Sequence, residues 1–423
     1  MSNTSTKASP VPEWLQRAHN IDHLGNVLVV LAQREKAREK ARMASRIKAN
    51  PSLLHRFAHL PSTALEPSAN IDHYSVSIAA QPENRRLNRY ADVEAYDRTR
   101  VIVGCGGTEP SGRYLNASWV RELNGGKWWI ATQAPLPETA HAFLSVLLQP
   151  VAKPFHPHPR ADITQEPQPL PDGKTCRVRT IVQLTREIEA GTRKAHTYFP
   201  PVEGESWIIP PEEGCSAPSV KVTLVKLEEI PEAHCLMSTV SVQSIISTAG
   251  TLPQVTGEEI VFKHMLYSSW PDHGVPELEH RAALLHFIHL VNTVNRDVSS
   301  QPSEIQHTLD SDPPIMVNCS AGIGRTGSFI AISSLLRRYK FLPPPTSIFN
   351  KSLDEAEEQV PNLEKVLGDS PLGPLHEDLE EDLIAMEIDA LREQRPGMVQ
   401  RKEQVILIYE LLIAAFYGEE EKH

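Results

Sequence analysis

No apolar run in the 423-residue sequence is long enough to cross a bilayer; the longest, Val405 to Tyr417, is interrupted by Glu410. It reads instead as a buried C-terminal helix. The opening residues, Met-Ser-Asn-Thr-Ser-Thr-Lys, lack the apolar core of a signal peptide. An excess of positive charge is also missing. The formal net charge of −11 excludes wholesale binding to nucleic acid or to an anionic membrane, though not a locally basic pocket. Cysteine is sparse, at five residues with no C-x-x-C pair, which suits a reducing compartment better than a disulfide framework. The expected location is the cytoplasm or nucleus, and no internal repeat is visible.

A hydrophobic fraction of 40% and a charged fraction of 22% are those of a soluble globular chain, and the 35 prolines concentrate in a few stretches. Residues 1–20 read as a loose tail. Residues 21–49 carry a helical pattern that becomes strongly charged from Gln33 to Lys40, expected to be a solvated face. Val101–Val103 and Trp128–Ala131 are strand candidates, with Asn124-Gly125-Gly126 as a turn. Pro137–Gln149 reads as an amphipathic helix, and residues 150–173 as an exposed insertion rich in proline and histidine. Strand signals recur at Cys176–Leu184, Val220–Leu227 and Ser238–Ile246, and helix signals at Leu278–Asn295 and Ser328–Lys340. A short apolar strand occupies Pro313–Val317. Residues 342–382 form a second insertion, and two helices near 383–393 and 399–416 close the chain. The alternation of strands and helices predicts an α/β fold.

Chemistry concentrates in Asn318-Cys319-Ser320-Ala321-Gly322-Ile323-Gly324-Arg325-Thr326-Gly327, between a strand and a helix. Glycines let successive N–H groups converge, and a helix N-terminus adds unpaired donors, so the loop forms a cup for an oxyanion of phosphate size. Cys319 opens the cup, in surroundings that favour the nucleophilic thiolate. Arg325 at its rim can hold two phosphate oxygens. Such a pairing predicts covalent phosphoryl transfer to sulfur. Gly322 to Gly327 also matches the dinucleotide fingerprint G-x-G-x-x-G, but no strand ending in an acid lies about 20 residues on, and the Walker A lysine is missing.

The string from Cys319 to Gly327 resembles the signature loop of the classical, tyrosine-specific protein tyrosine phosphatases. Asn88-Arg89-Tyr90-Ala91-Asp92-Val93 resembles that family's phosphotyrosine-recognition loop, and Tyr114–Ser118 and Ala131–Pro137 its core strand motifs. Trp270-Pro271-Asp272-His273-Gly274-Val275-Pro276 resembles its mobile acid loop, and Gln394–Gln400 with Gln404 its glutamine loop. These motifs follow the family's order over residues 74–416. The early motifs and the insertions resemble those of fungal, non-receptor members.

The resemblance implies a highly twisted mixed central sheet flanked by helices on both faces, the cysteine phosphatase fold. It sets a catalytic domain over 51–417, with insertions near 150–173 and 342–382, between an N-terminal tail and charged helical arm (1–50) and a C-terminal tail (418–423). It implies Cys319 as nucleophile, Arg325 as phosphate clamp, and Asp272 as general acid and then base, with Trp270 serving the acid loop. Gln400 would position the hydrolytic water with help from Gln404, and Thr326 would assist breakdown of the phosphocysteine. Ser320, Ala321, Gly322, Ile323 and Gly324 would line the phosphate cup. Tyr90 would stack on the phosphotyrosine ring, and Asp92 would hold the substrate backbone. Glu189 would orient Arg325, and Lys194 would contact the acid loop. No cofactor or metal is implied. The expected partners are phosphotyrosine proteins, with mitogen-activated protein kinases as natural candidates, and the expected state is a monomer.

One residue departs from the family pattern. Asn318 stands where a histidine usually precedes the cysteine. Asparagine can donate a hydrogen bond but carries no charge, so slower turnover is expected. A phosphotyrosine-binding pseudophosphatase is therefore the alternative reading.

Overall fold

A computed structural model describes residues 11–49, 67–104, 112–151, 174–246, 254–272, 274–346 and 369–420. Most of the expected insertion at 150–173, and the middle of that at 342–382, lie outside the described residues.

Eleven strands are described: β1 (Ala117–Arg121), β2 (Trp128–Gln133), β3 (Thr180–Gln183), β4 (Ile188–Glu189), β5 (Thr192–Arg193), β6 (Ser206–Ile209), β7 (Ser219–Ile230), β8 (Cys235–Ile246), β9 (Gln254–Val255), β10 (Ile260–Tyr267) and β11 (Ile315–Cys319). Six longer helices join them: α1 (Ile21–Ala49), α2 (Ala140–Leu148), α3 (Leu278–Arg296), α4 (Gly324–Arg338), α5 (Leu383–Gln394) and α6 (Lys402–Glu420). The strands build one twisted mixed sheet in the order β1-β2-β11-β3-β10-β8-β7-β6, with β9 added beside β8, while β4 and β5 form a separate hairpin. The central pairs β2–β11, β11–β3 and β3–β10 are parallel and the outer pairs antiparallel.

Both faces of the sheet are covered, so its central strands β2, β3 and β11 are buried at every position rather than at alternate ones. Trp129, Ala131, Ile315 and Val317 point into a core shared with α3, α4, α5 and α6. Ile130, Met316, Ile181 and Phe262 point the other way, onto Phe143, Leu144 and Leu147 of α2. Cys319 continues the first set and so ends β11 on the side of α4.

Several elements differ from the sequence expectation. Strand β10 was not anticipated: it is buried almost throughout, and the alternation that marks a half-exposed strand is therefore absent. Val101–Val103 makes only an isolated bridge, between Val103 and Arg113, not a strand. Helix α4 begins at Gly324, inside the phosphate-binding motif, because glycine and threonine mask the helical pattern there. Residues of the expected tail and second insertion reach the core: Val11, Leu15, Leu375 and Leu379 all join it. These are isolated apolar residues in polar sequence, so no periodicity announces them. The charged run of α1 is solvated only in part: Gln33, Lys36, Glu39 and Lys40 are exposed, but Arg38, and Arg42 just beyond the run, are buried against acidic and phenolic partners.

No helix among the described residues is long and apolar enough to cross a membrane.

Candidate active site

Strand β11 delivers Cys319 to the carboxyl end of the parallel part of the sheet, where open α/β sheets place their ligand crevices. Its neighbours in register are Thr132 and Gln133 of β2 and Gln183 of β3. Beyond Cys319 the chain turns sharply. Gly322 has φ +72, and a Cβ at that position would lie 2.1 Å from the Thr132 carbonyl oxygen. Only glycine fits there. The turn then enters α4 at Gly324, bringing the helix's unpaired N–H groups and partial positive charge next to Cys319.

The loop is braced from behind by Arg395, wholly buried, whose Nε donates to Gly322 O at 2.7 Å and Nη2 to Ala321 O at 3.1 Å. Burial pushes the Arg395 guanidinium down to about 10, and its neighbours Tyr114 and Cys319 offset this only in part. The quoted glutamine-loop motif contained this residue, but it was assigned no role; a buried arginine looks the same in sequence as an exposed one. Ser320 Oγ donates to Lys194 O at 2.8 Å and lies 2.8 Å from the Tyr90 hydroxyl. That contact joins the recognition loop to the cup. Asp92, two residues further on, is exposed.

Arg325 is the most constrained side chain of the site. Its Nη1 and Nη2 donate to the two oxygens of Glu189 at 2.8 and 2.7 Å, and further bonds reach Leu184 O at 2.9 Å and Pro271 O at 2.9 Å. Burial opposes the charge of Arg325, but the Glu189 hydrogen bonds, with Cys319 and Asp272, outweigh it and raise the guanidinium's pKa above the ordinary arginine range. For Glu189, burial pushes the pKa up and the Arg325 bonds pull it down; the bonds win. The hairpin β4–β5 sets this carboxylate in place.

Asp272 meets two cations: Lys194 Nζ at 2.8 Å and Arg325 Nη2 at 3.4 Å. Its loop is anchored by Trp270, which is buried in the core edge-on to Tyr267 and donates from Nε1 to Gly274 O at 3.1 Å. Across the cup, Val399 N donates to Ile323 O at 3.2 Å, seating the glutamine loop on the phosphate loop. Gln404 is buried with its amide against Gly324, and Gln400 is exposed beside it. The Thr326 hydroxyl and the Asn318 Oδ1 are buried without a hydrogen-bond partner, while Asn318 Nδ2 donates to Cys319 O at 3.3 Å.

The site thus gathers a thiol, a bidentate-held guanidinium, a carboxyl on a separate loop and two carboxamides around one helix N-terminus. The family model described as protein-tyrosine phosphatase matches residues 84–152 and 175–350, which together hold every one of these groups except those of the glutamine loop. The chain belongs to the protein-tyrosine phosphatase family.

Among relatives of this phosphatase domain, the Lar-like tyrosine-protein phosphatase of Caenorhabditis elegans is 29% identical over 81% of this chain and 11% of its own length. The tyrosine-protein phosphatase non-receptor type 20 of Mus musculus is 27% identical over 78% of this chain and 54% of its own. The chain therefore spans about half, or much less, of the curated relatives it matches. A solved structure of PTPN18 in complex with HER2-pY1248 phosphopeptides aligns at 24% identity and a TM-score of 0.49, over 81% of this chain and 92% of that one.

Proposed function

We propose that this chain hydrolyses phosphotyrosine in proteins through a phosphocysteine intermediate. The observation that carries the reading is Arg325, locked by Glu189 at the N-terminus of α4, six residues beyond Cys319 and in contact with Asp272. In the first step the Cys319 sulfur attacks phosphorus and the bond to the tyrosine oxygen breaks, with Asp272 protonating the departing phenolate. Arg325 and the loop N–H groups hold the phosphoryl oxygens throughout. In the second step Asp272 takes a proton from water, the water oxygen attacks phosphorus, and the phosphorus–sulfur bond breaks to release phosphate. Gln400, with Gln404, orients that water, and Thr326 assists the departing sulfur. Tyr90 stacks on the substrate ring and Asp92 holds its backbone.

The test is hydrolysis of an aryl phosphate without added metal. Cys319→Ser is expected to abolish it, and Asp272→Ala to slow turnover by a factor of roughly 10² to 10⁴ while retaining substrate binding. Activity that survives Cys319→Ser, or that requires a divalent metal, overturns the mechanism. Mitogen-activated kinases as substrates and a monomeric state are proposals that rest on the family resemblance, and a cytoplasmic or nuclear site of action is one that rests on the sequence features above.

Asn318 favours a second reading, a phosphotyrosine binder with impaired turnover, since its Oδ1 is buried and unpartnered beside the nucleophile. Wild type compared with Asn318→His on a phosphotyrosine peptide separates the two. Binding without turnover in wild type, with turnover in the variant, identifies the binder.

A further inference from the structure

Helix α1 carries Arg34, Arg38, Arg42 and Arg46 at intervals of four, which places them along one face. These arginines reach two different walls of the active site. Toward one wall, Arg34 Nε donates to both oxygens of Asp389 at 3.0 Å, and Arg38 Nη2 donates to Asp389 and to Glu393 at 2.6 Å each. Asp389 and Glu393 sit on α5, which leads directly into the glutamine loop. Between them Arg392 donates from Nη1 to Leu31 O of α1 at 2.8 Å, and from Nε and Nη2 to Met398 O and Val399 O of the glutamine loop at 2.8 Å each. Toward the other wall, Arg42 donates to the Tyr96 hydroxyl at 3.1 Å and Arg46 to Glu94 at 2.6 Å. Glu94 and Tyr96 directly follow the loop that carries Tyr90 and Asp92.

From this geometry we infer that α1 is a strut that positions the recognition loop and the glutamine loop relative to each other, with Arg46 and Asp389 as positioning residues for substrate binding and for the hydrolytic step. The inference rests on the phosphatase reading above and assigns a role within it to the N-terminal arm. One rigid helix spans both loops, and each arginine that it extends is held by a charged or phenolic partner, so displacing either end moves one loop and spares the other. Thr99 Oγ1 also donates to Gln394 O at 2.7 Å, and Asn116 accepts from Arg395 while donating to Val93 O, so α1 adds a long brace to these shorter links.

The experiment uses the full chain and two variants that each break one end of the brace, because removing Arg38 would strand two carboxylates at once; Arg46→Ala strands Glu94 alone, and the charge swap below restores its partner. Arg46→Ala is expected to raise KM for a phosphotyrosine peptide about tenfold with a much smaller change in kcat. Arg46→Glu combined with Glu94→Arg restores KM. Asp389→Asn, which keeps shape and loses charge, is expected to lower kcat about tenfold and to show a burst of tyrosine release as phosphocysteine accumulates. Hydrogen exchange, which needs no turnover, should quicken over residues 90–97 in the first variant and over 395–404 in the second. Folded variants with wild-type constants and wild-type exchange overturn the strut, as does the same change in both constants for both variants. A wild-type chain without Cys319-dependent turnover removes the phosphatase reading instead. The exchange pattern then still decides whether α1 holds the two loops.

Discussion

Glu189→Gln tests the electrostatic centre of the site most directly. Glu189 accepts from Arg325 at 2.8 Å on Oε1 and 2.7 Å on Oε2, and its Oε1 also takes Thr185 Oγ1 at 2.9 Å and Arg186 N at 3.1 Å. A glutamine oxygen at Oε1 preserves three of these bonds. At Oε2 the amide NH₂ faces the Nη2 donor, so one charge-assisted bond is lost and two donors meet. A hydrogen bond to a charged group is worth about 1.5–3 kcal/mol, so a guanidinium freed to that extent lowers kcat/KM by about 10- to 100-fold. The assay is aryl phosphate hydrolysis, read beside inhibition by inorganic phosphate. In the proposed mechanism Arg325 grips the oxyanion in the ground state as well, so the phosphate inhibition constant is expected to rise in step. Thermal unfolding of the variant checks that the fold persists. A folded Glu189→Gln chain with kcat/KM within about twofold of wild type would refute the idea that Arg325 must be held in its fork. The carboxylate's depressed pKa adds a pH arm to the same experiment. Its pairing with Arg325 persists through the neutral range and is lost as pH falls below the ordinary carboxylate range, so it cannot account for any decline in activity near pH 7.

Three further outcomes follow from the packing. Gly322→Ala puts a methyl group 2.1 Å from a backbone carbonyl at φ +72, so the loop must move; a cost on the order of 3 kcal/mol and loss of aryl phosphate turnover are expected, and wild-type activity would show that the cup tolerates distortion. His264, buried beside Gln183, has its pKa lowered by burial from 6.5 to about 4. The fold keeps this imidazole neutral, so its contribution to stability is complete above pH 6.5 and falls away toward pH 4 by about 3 kcal/mol; His264→Gln should flatten the urea-unfolding midpoint over that range, and parallel pH profiles would count against the assignment. Phe329→Ala opens a void where Trp129 and Phe287 meet on the sheet face behind Cys319, and a loss of about 3–5 kcal/mol by urea unfolding is expected, with a loss under about 1 kcal/mol contradicting the tight packing.

The Cys319–Gly327 loop was legible as an anion cup because its geometry is local. A cysteine, an arginine six residues on and glycines between them need only one strand, one turn and one helix N-terminus to form an anion cup, and all three lie within about a dozen residues. The α/β class was readable from the alternation of strand and helix signals, and the segments Trp270–Pro276 and Gln394–Gln400 were picked out only by their resemblance to the phosphatase family. The tertiary structure decided what depends on distance in space. Whether Glu189 forks Arg325, whether Arg395 braces the cup and whether Asp272 lies over Lys194 depend on approaches between segments far apart in the chain. Strand β10 escaped notice because burial on both faces erases the alternation from which strands are read. Arg34 and Arg38 of α1 looked like part of a solvated face because charge alone does not reveal whether water or a buried carboxylate answers it. Only the folded chain places Asp389 and Glu393 opposite them, and Glu94 opposite Arg46.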